Sequence, residues 1–109
     1  MKISELKSKL ELEVLTDNNF EDRDVTGCYI GDLLSWVMGK ASSGDAWITI
    51  MNNINIVAVA ALTDVSCIIL CEGVGAEKEI IDKANSQGIV ILKSENTAYE
   101  LSSKISGEI

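Results

Sequence analysis

The residues best suited to ligand chemistry lie in one polar segment near the start of the chain. Arg23 is the only arginine, and it stands between Asp22 and Asp24, just before Thr26 and Gly27. A guanidinium can hold a phosphate or carboxylate through two parallel hydrogen bonds, with the Thr26 hydroxyl and the Gly27 backbone beside it. The alternative is a local or intersubunit ion pair with a neighbouring aspartate, which adds little stability at an exposed position.

Two further candidate residues fall in predicted turns that follow strands. Asn53 lies in a polar break after the strand-like segment WITIM, and Gly73 opens the sequence Gly-Val-Gly after the most apolar run of the chain. Turn chemistry explains such an asparagine without a ligand, and Lys78 replaces the third glycine of a dinucleotide-binding fingerprint. The candidate wall of a site for a small anionic ligand consists of Arg23, Thr26, Gly27, Asn53 and Gly73.

The composition argues against most kinds of catalysis. The chain contains no histidine, which excludes Ser-His and Cys-His nucleophiles and removes the commonest zinc ligand. Glu72 is the one credible general acid or base, and no phosphate-binding P-loop is present. Glu21, Asp22 and Asp24 could hold a hard cation, but neighbouring carboxylates in so acidic a chain are more often a solvated surface. We expect no enzymatic activity, no cofactor and no metal site.

Charge and targeting signals narrow the partners and the compartment. Seventeen acidic residues against nine basic ones give a net charge of -8, so nucleic acid and anionic membranes are not expected partners, whereas a basic protein is compatible. The N-terminus has no secretory apolar stretch, and the most apolar run, 56–71, is shorter than the roughly 20 residues of a membrane helix. Three cysteines in apolar surroundings suggest reduced thiols, and we predict a cytoplasmic protein.

Apolar periodicity predicts strands that alternate with helices in one domain covering 1–109. The predicted strands are 12–15, 25–30, 47–51, 65–71 and 89–92, and the polar segment 16–24 is the longest candidate for a site-forming loop. Such alternation is typical of an α/β fold with a mainly parallel sheet and helices covering it. Because ligands usually bind where parallel strands end, we expect any pocket at the carboxyl edge of the sheet.

The helices are predicted from a period of 3.6 residues and from residues that favour helix ends. The first begins at a Ser4 cap, the second at an Asp32 cap with a stop at Gly39, and the third, 56–62, at an Asn55 cap. A fourth covers 77–87, and a fifth ends the chain. The predicted inward residues are Ile3, Leu6 and Leu10, then Leu33, Leu34, Val37 and Met38, then Ile80, Ile81 and Ala84, and finally Ala98, Leu101 and Ile105.

A family resemblance rests on the segment 22–35, DRDVTGCYIGDLLS. This segment resembles the signature of the DRTGG domain family, which is named for its Asp-Arg and Thr-Gly-Gly residues. The similarity continues in the same order through 47–50, 55–60, the strand that ends at 72–73, and 88–92. Cys28 stands where the signature has its second glycine. If that glycine allows close backbone approach to a ligand, a side chain here weakens the case for a ligand.

The resemblance implies an accessory domain like the N-terminal domain of HPr kinase, or like the domains beside phosphotransacetylase and in CBS-domain pyrophosphatases. Such domains are regarded as non-catalytic, regulatory and dimer-forming. Trp36 and Tyr99, which we expect to be exposed aromatics, also favour self-association. Two hypotheses follow: a homodimeric regulatory or partner-binding module, or a sensor that binds a nucleotide or phosphorylated metabolite at the carboxyl edge.

Overall fold

The computed structural model describes residues 1–109 as five strands and five helices. The strands are β1 (Glu13–Val14), β2 (Gly27–Ile30), β3 (Asp45–Thr49), β4 (Cys67–Leu70) and β5 (Ile91–Lys93). The helices are α1 (Ile3–Leu10), α2 (Leu34–Lys40), α3 (Asn55–Thr63), α4 (Lys78–Ser86) and α5 (Ala98–Ser106). The strands form one sheet in the order β1-β5-β4-β3-β2, parallel except for β1, which runs antiparallel to β5. The predicted α/β fold is confirmed.

Helices cover both faces of this sheet. Strands β2 to β5 are adjacent in chain order, so right-handed crossovers place α2, α3 and α4 on one face. Trp47 and Ile68 belong to the core beneath those helices, whereas Ile48 and Ile69 belong to the core beneath α1 and α5. Strands β3 and β4 are buried along their whole length, as expected of central parallel strands.

Helix α1 is capped by a side chain that the sequence did not suggest. The predicted Ser4 cap is wrong, because Lys2 is the N-cap and Ser4 lies inside the first turn. The Ser4 backbone N–H donates to Asp22 Oδ1 at 2.9 Å, and its hydroxyl donates to Asp22 Oδ2 at 2.6 Å. A carboxylate at a helix N-terminus satisfies N–H groups that have no partner within the helix. The predicted inward face is buried as expected at Ile3, Leu6 and Leu10.

The turn into α2 also differs from the prediction. The helix begins at Leu34 rather than at an Asp32 cap, and it continues past the predicted stop at Gly39. Asp32 Oδ1 instead accepts hydrogen bonds from the Thr49 hydroxyl at 2.7 Å and from the Ile50 N–H at 3.0 Å. Asp32 therefore fastens the β2–α2 turn to the end of β3.

Helix α2 leaves much of its apolar surface in water. Of the four residues predicted to face inward, Val37 is buried and Leu34 is half-buried, but Leu33 is 60% and Met38 is 52% exposed. Trp36 is 58% exposed, in agreement with the prediction. Because apolar residues surround most of this helix, a single core-facing stripe cannot bury them all.

The other three helices lie close to their predicted positions. Helix α3 begins at Asn55 itself, so the predicted Asn55 cap is wrong, and Asn53 Oδ1 accepts the Asn55 N–H at 2.9 Å. Ile81 and Ala98 are half-buried. The predicted inward residues that are buried in α4 and α5 are Ile80, Ala84, Leu101 and Ile105. None of the helices has the length and apolar character needed to cross a membrane.

Candidate functional site

Arg23 lies at the amino edge of the sheet, where β2, β3 and β4 begin. Its guanidinium donates to the carbonyl oxygens of Val65 and Asp64, each at 3.1 Å. Its Nη1 also lies 3.1 Å from Asp64 Oδ1, so the ion pair forms with Asp64 and not with either flanking aspartate. All these acceptors belong to the turn between α3 and β4. The arginine therefore ties that turn to the segment before β2.

The aspartates that flank Arg23 are also engaged within the fold. Hydrogen bonds from Ser4 hold the pKa of Asp22 below its usual range. Asp24 Oδ2 lies 3.4 Å from Lys2 Nζ at an exposed position, and the Asp24 carbonyl accepts the Ser66 hydroxyl. No three metal-ligating side chains come together anywhere in the chain. The segment 22–24 thus joins α1, β2 and the start of β4.

Thr26 and Gly27 lie where β2 meets β3. The Thr26 N–H donates to the Gly44 carbonyl at 3.0 Å, and Gly44 has a φ of +87°, which favours glycine. Gly27 pairs with Asp45, and a Cβ at Gly27 would lie 2.5 Å from Asp45 Oδ1. The Asp45 carboxylate is buried, and its Oδ2 accepts the Ser42 N–H at 2.8 Å. Gly27 therefore allows a buried carboxylate to sit against the backbone.

Asn53 and Gly73 lie at the opposite edge, in the turns that follow β3 and β4. The Asn53 side chain serves the start of α3, as described above. Gly73 has a φ of +74°, and its N–H donates to the Ser94 carbonyl at 2.8 Å. A Cβ at Gly73 would lie 2.8 Å from Glu95 Oε2. The turn after β4 therefore packs directly against the turn after β5.

The five candidate residues do not form one wall. Arg23, Thr26 and Gly27 lie at the amino edge, whereas Asn53 and Gly73 lie at the carboxyl edge. One strand separates the two groups, and four residues of strand span about 13 Å. The sequence predicts all five at the carboxyl edge, but Arg23 binds the turn before β4, which lies at the amino edge.

Two concavities exist, and none of the five candidate residues lines either of them. One, of about 170 Å³, lies between the loop 16–21 and the start of β5, with Phe20 and Asn85 among its lining residues. The other, of about 230 Å³, is lined by Glu11, Glu13 and Glu95 beside Lys93. Three carboxylates around one lysine make the second concavity unfavourable for an anion.

The three cysteines are free, and their thiols are poor nucleophiles. Burial raises the pKa of the Cys28 thiol to about 11, with the Asp45 charge as a second cause. Burial also raises the pKa of Cys67 to about 12. The thiolate is the reactive form, so neither position suits nucleophilic chemistry near neutral pH. The expectation of reduced cysteines agrees with this arrangement.

An exposed apolar surface lies beside β2, and the sequence indicated it only through Trp36. It comprises five side chains around the ends of β2 and β3, which we call the edge patch: Ile30, Leu33, Trp36, Ile50 and Ile54, exposed by 38–60%. Leu33 and Trp36 are one helical turn apart, and the Asp32 bond to Ile50 brings the α2 turn against the end of β3. The excess of apolar residues around α2 is the signal that could have indicated this surface.

The architecture defines a small α/β domain with a mainly parallel sheet covered by helices on both faces, in which the signature residues support the fold. The model of the DRTGG domain family matches residues 5–107, and the chain belongs to this family. No curated protein matches the chain.

A solved structure of a regulatory region shares this fold. It is the crystal structure of the CBS and DRTGG domains of the regulatory region of Clostridium perfringens pyrophosphatase, complexed with its activator diadenosine tetraphosphate. The TM-score is 0.71 and the identity is 20%, over 93% of this chain and 44% of that chain. This chain thus spans less than half of the solved one, in which the DRTGG domain is part of a regulatory region.

Proposed function

We propose that this chain is a non-enzymatic regulatory module that acts in the cytoplasm by associating with a second copy of itself. The observation that carries the proposal is the edge patch, because its five apolar side chains remain in water while the polar signature is used internally. Surfaces of this kind are typical of protein interaction sites. A basic protein that binds the acidic remainder of the surface is compatible with the same role.

The contacts of the polar residues support a non-catalytic role. The Arg23 guanidinium already binds backbone carbonyls and a carboxylate, so it is not free to hold a substrate. Glu72, the one credible acid or base, lies in a turn with a φ of 56° and faces no concavity. Two of the thiols have pKa values of about 11 and 12, far above neutral pH.

Thermal unfolding at several protein concentrations tests self-association. If the folded state is a dimer, a tenfold rise in concentration adds about 1.4 kcal/mol to its stability. Because this gain is shared by two unfolding chains, it corresponds to a rise in Tm of roughly 3 °C. A Tm that is independent of concentration over two decades would contradict the proposal.

A second candidate, a sensor for a small anionic ligand, is favoured by the similar regulatory region that was solved with diadenosine tetraphosphate. In this chain the site would lie at the carboxyl edge, with Asn53 and Gly73 in its wall beside the start of α3. Arg23, Thr26 and Gly27 would remain a separate group at the amino edge. They would bind an anion only by giving up their present partners.

A ligand panel measured by thermal shift separates the two candidates. The panel comprises diadenosine tetraphosphate, ATP, AMP, acetyl phosphate and pyrophosphate. A ligand present at about 100 times its Kd adds roughly 2.7 kcal/mol, which is a shift of about 10 °C here. A shift that Asn53→Ala abolishes would establish the sensor at the carboxyl edge. A shift lost only in Arg23→Ala would place it at the amino edge.

A further inference from the structure

Strand β2 lies at one end of the sheet, and its outer side pairs with no other strand. Across the ladder to β3, the Gly31 N–H donates to the Ile48 carbonyl at 3.2 Å. Backbone groups alternate in direction along a strand, so Tyr29 and Gly31 face β3 whereas Cys28 and Ile30 face outward. The outer side therefore presents the N–H and C=O groups of Cys28 and Ile30, placed symmetrically about Tyr29.

This edge lacks the features that usually prevent strand pairing. The sequence of β2 is Gly-Cys-Tyr-Ile, with no charge and no proline, and the four residues pair with β3 in unbroken register. The other end of the sheet is different, because β1 has only two residues, one of which is the charged Glu13. A short, charged strand of that kind is a poor template for pairing.

Members of the edge patch lie beside β2 on both faces of the sheet. Cys28 packs against the core beneath α1 and α5, and by alternation Ile30 lies on that same face. Tyr29 packs against the core that contains Val37 of α2, so Trp36 and its helix lie on the other face. A chain that paired with β2 would therefore cover apolar side chains above and below the new ladder.

Charge favours a second copy of this chain as the occupant. With a net charge of -8, two copies repel each other unless they meet at a neutral surface. The edge patch is such a surface: its five side chains carry no charge, and the two charged groups nearby, the Asp32 carboxylate and the Lys40 ammonium over the Trp36 ring, have opposite signs. A basic partner protein would instead be drawn to the acidic remainder of the molecule.

The available area is consistent with a dimer. Aromatic side chains bury roughly 150–250 Å² each and aliphatic ones somewhat less, so the five half-exposed side chains present on the order of 400 Å² of apolar surface. A stable interface buries about 800 Å² per partner. The apolar side chains would supply about half of this area, and the outer backbone of β2 with the polar rim would supply the rest.

We propose that two copies pair through β2 in antiparallel orientation, with Tyr29 on the two-fold axis. This pairing joins the two five-stranded sheets into one sheet of ten strands. This rests on the proposed self-association and specifies its surface. Cys28 would exchange both backbone hydrogen bonds with Ile30 of the partner subunit, and Ile30 with the partner's Cys28. Each pair is repeated by symmetry, as an interface between identical surfaces requires.

Cysteine cross-linking tests the register. Residues that face each other on the axis in a non-hydrogen-bonded pair have Cα atoms about 4.5 Å apart, which is within disulfide range. Tyr29→Cys should form an intermolecular disulfide under mild oxidation. Tyr99→Cys, at a position that is 79% exposed on α5, is the matched control and should not cross-link. The wild-type chain should not cross-link through Cys28, because the two copies of that residue are offset by two positions.

A charge placed at the edge gives a second, independent measurement. Ile30→Lys should raise the dimer Kd roughly a hundredfold or more, because an unpaired charge at an edge opposes strand pairing. Leu62→Lys, at a position that is 73% exposed on α3, is the control and should leave the Kd within about threefold of wild type. Circular dichroism confirms that each variant is folded before its Kd is measured by sedimentation.

The outcomes distinguish a failure of the proposed β2 interface from a failure of self-association itself. If wild type is a dimer but Tyr29→Cys does not cross-link and Ile30→Lys keeps the wild-type Kd, the β2 interface is wrong and self-association stands. If wild type is monomeric up to roughly 500 μM, both proposals fail. If Tyr29→Cys does not fold, the comparison of Ile30→Lys with Leu62→Lys decides alone.

Discussion

Removing the Arg23 side chain should destabilise the fold, because this residue joins the segment before β2 to the turn before β4. The Arg23→Ala variant loses hydrogen bonds to the Val65 and Asp64 carbonyls. The first of these bonds is partly buried, and a hydrogen bond that involves a charged group contributes about 1.5–3 kcal/mol. The ion pair with exposed Asp64 adds little, since solvent screens it.

We expect a loss of about 2 kcal/mol in the free energy of unfolding, and a fall in Tm of roughly 8 °C for a chain of this size. Denaturation in urea, followed by circular dichroism, measures the first quantity. Lys83→Ala is the matched control, because it removes one positive charge from an exposed position without an ion pair. It should change the stability by less than about 0.5 kcal/mol.

Salt separates the hydrogen bonds from the charge. Surface charge interactions weaken over a Debye length of about 3 Å at 1 M ionic strength, whereas hydrogen bonds to carbonyls persist. The deficit of Arg23→Ala should therefore remain in 1 M NaCl. A deficit no larger than that of Lys83→Ala, or one that disappears in high salt, would refute the structural role of Arg23.

Four further predictions concern individual residues of the fold and the charge of the proposed dimer. Gly27→Ala should lower stability by about 1–3 kcal/mol in urea titrations, because its Cβ would meet the buried Asp45 carboxylate; a neutral result would mean that the carboxylate can move. With a pKa of about 11, Cys28 should have a thiolate fraction of only about one in a thousand at pH 8, so its modification by Ellman's reagent should be far slower than that of free cysteine. Because the pKa of Asp22 is lowered, its ionised carboxylate stabilises the fold above about pH 4, and this stabilisation is lost as the pH falls further. The Tm difference between wild type and Asp22→Ala should therefore shrink between about pH 6 and about pH 3. Raising the salt concentration should tighten the dimer, since both copies carry a charge of -8; weaker association in salt would indicate attraction between charged groups instead.

The sequence was sufficient for the architecture because apolar patterning is local. The continuous apolar run that contains β4 indicated a strand covered on both faces, and the periodicity of Ile3, Leu6 and Leu10 indicated the buried face of α1. The helix caps were harder to predict. Ser4 and Asp32 both have the right chemistry for a cap, but their actual partners, Asp22 and β3, are distant in sequence.

The candidate site could not be predicted for the same reason. A single arginine at position 23 indicated a residue that binds an anion or an acceptor, but the turn that it binds is more than forty residues away in sequence. The edge patch depends on strand order: Ile30 is exposed because β2 is the last strand of the sheet, and composition does not determine that order. A polar residue that stabilises the fold can be distinguished from one that binds a ligand only when its hydrogen-bond partners in the structure are known.

The mass of the folded chain in solution tests the central claim most directly. Sedimentation equilibrium over a series of concentrations gives this mass without reference to molecular shape. A chain of 11.8 kDa that self-associates should approach twice that mass as its concentration rises, and Ile30→Lys should return it to 11.8 kDa. A wild-type mass of 11.8 kDa at every concentration would contradict the account.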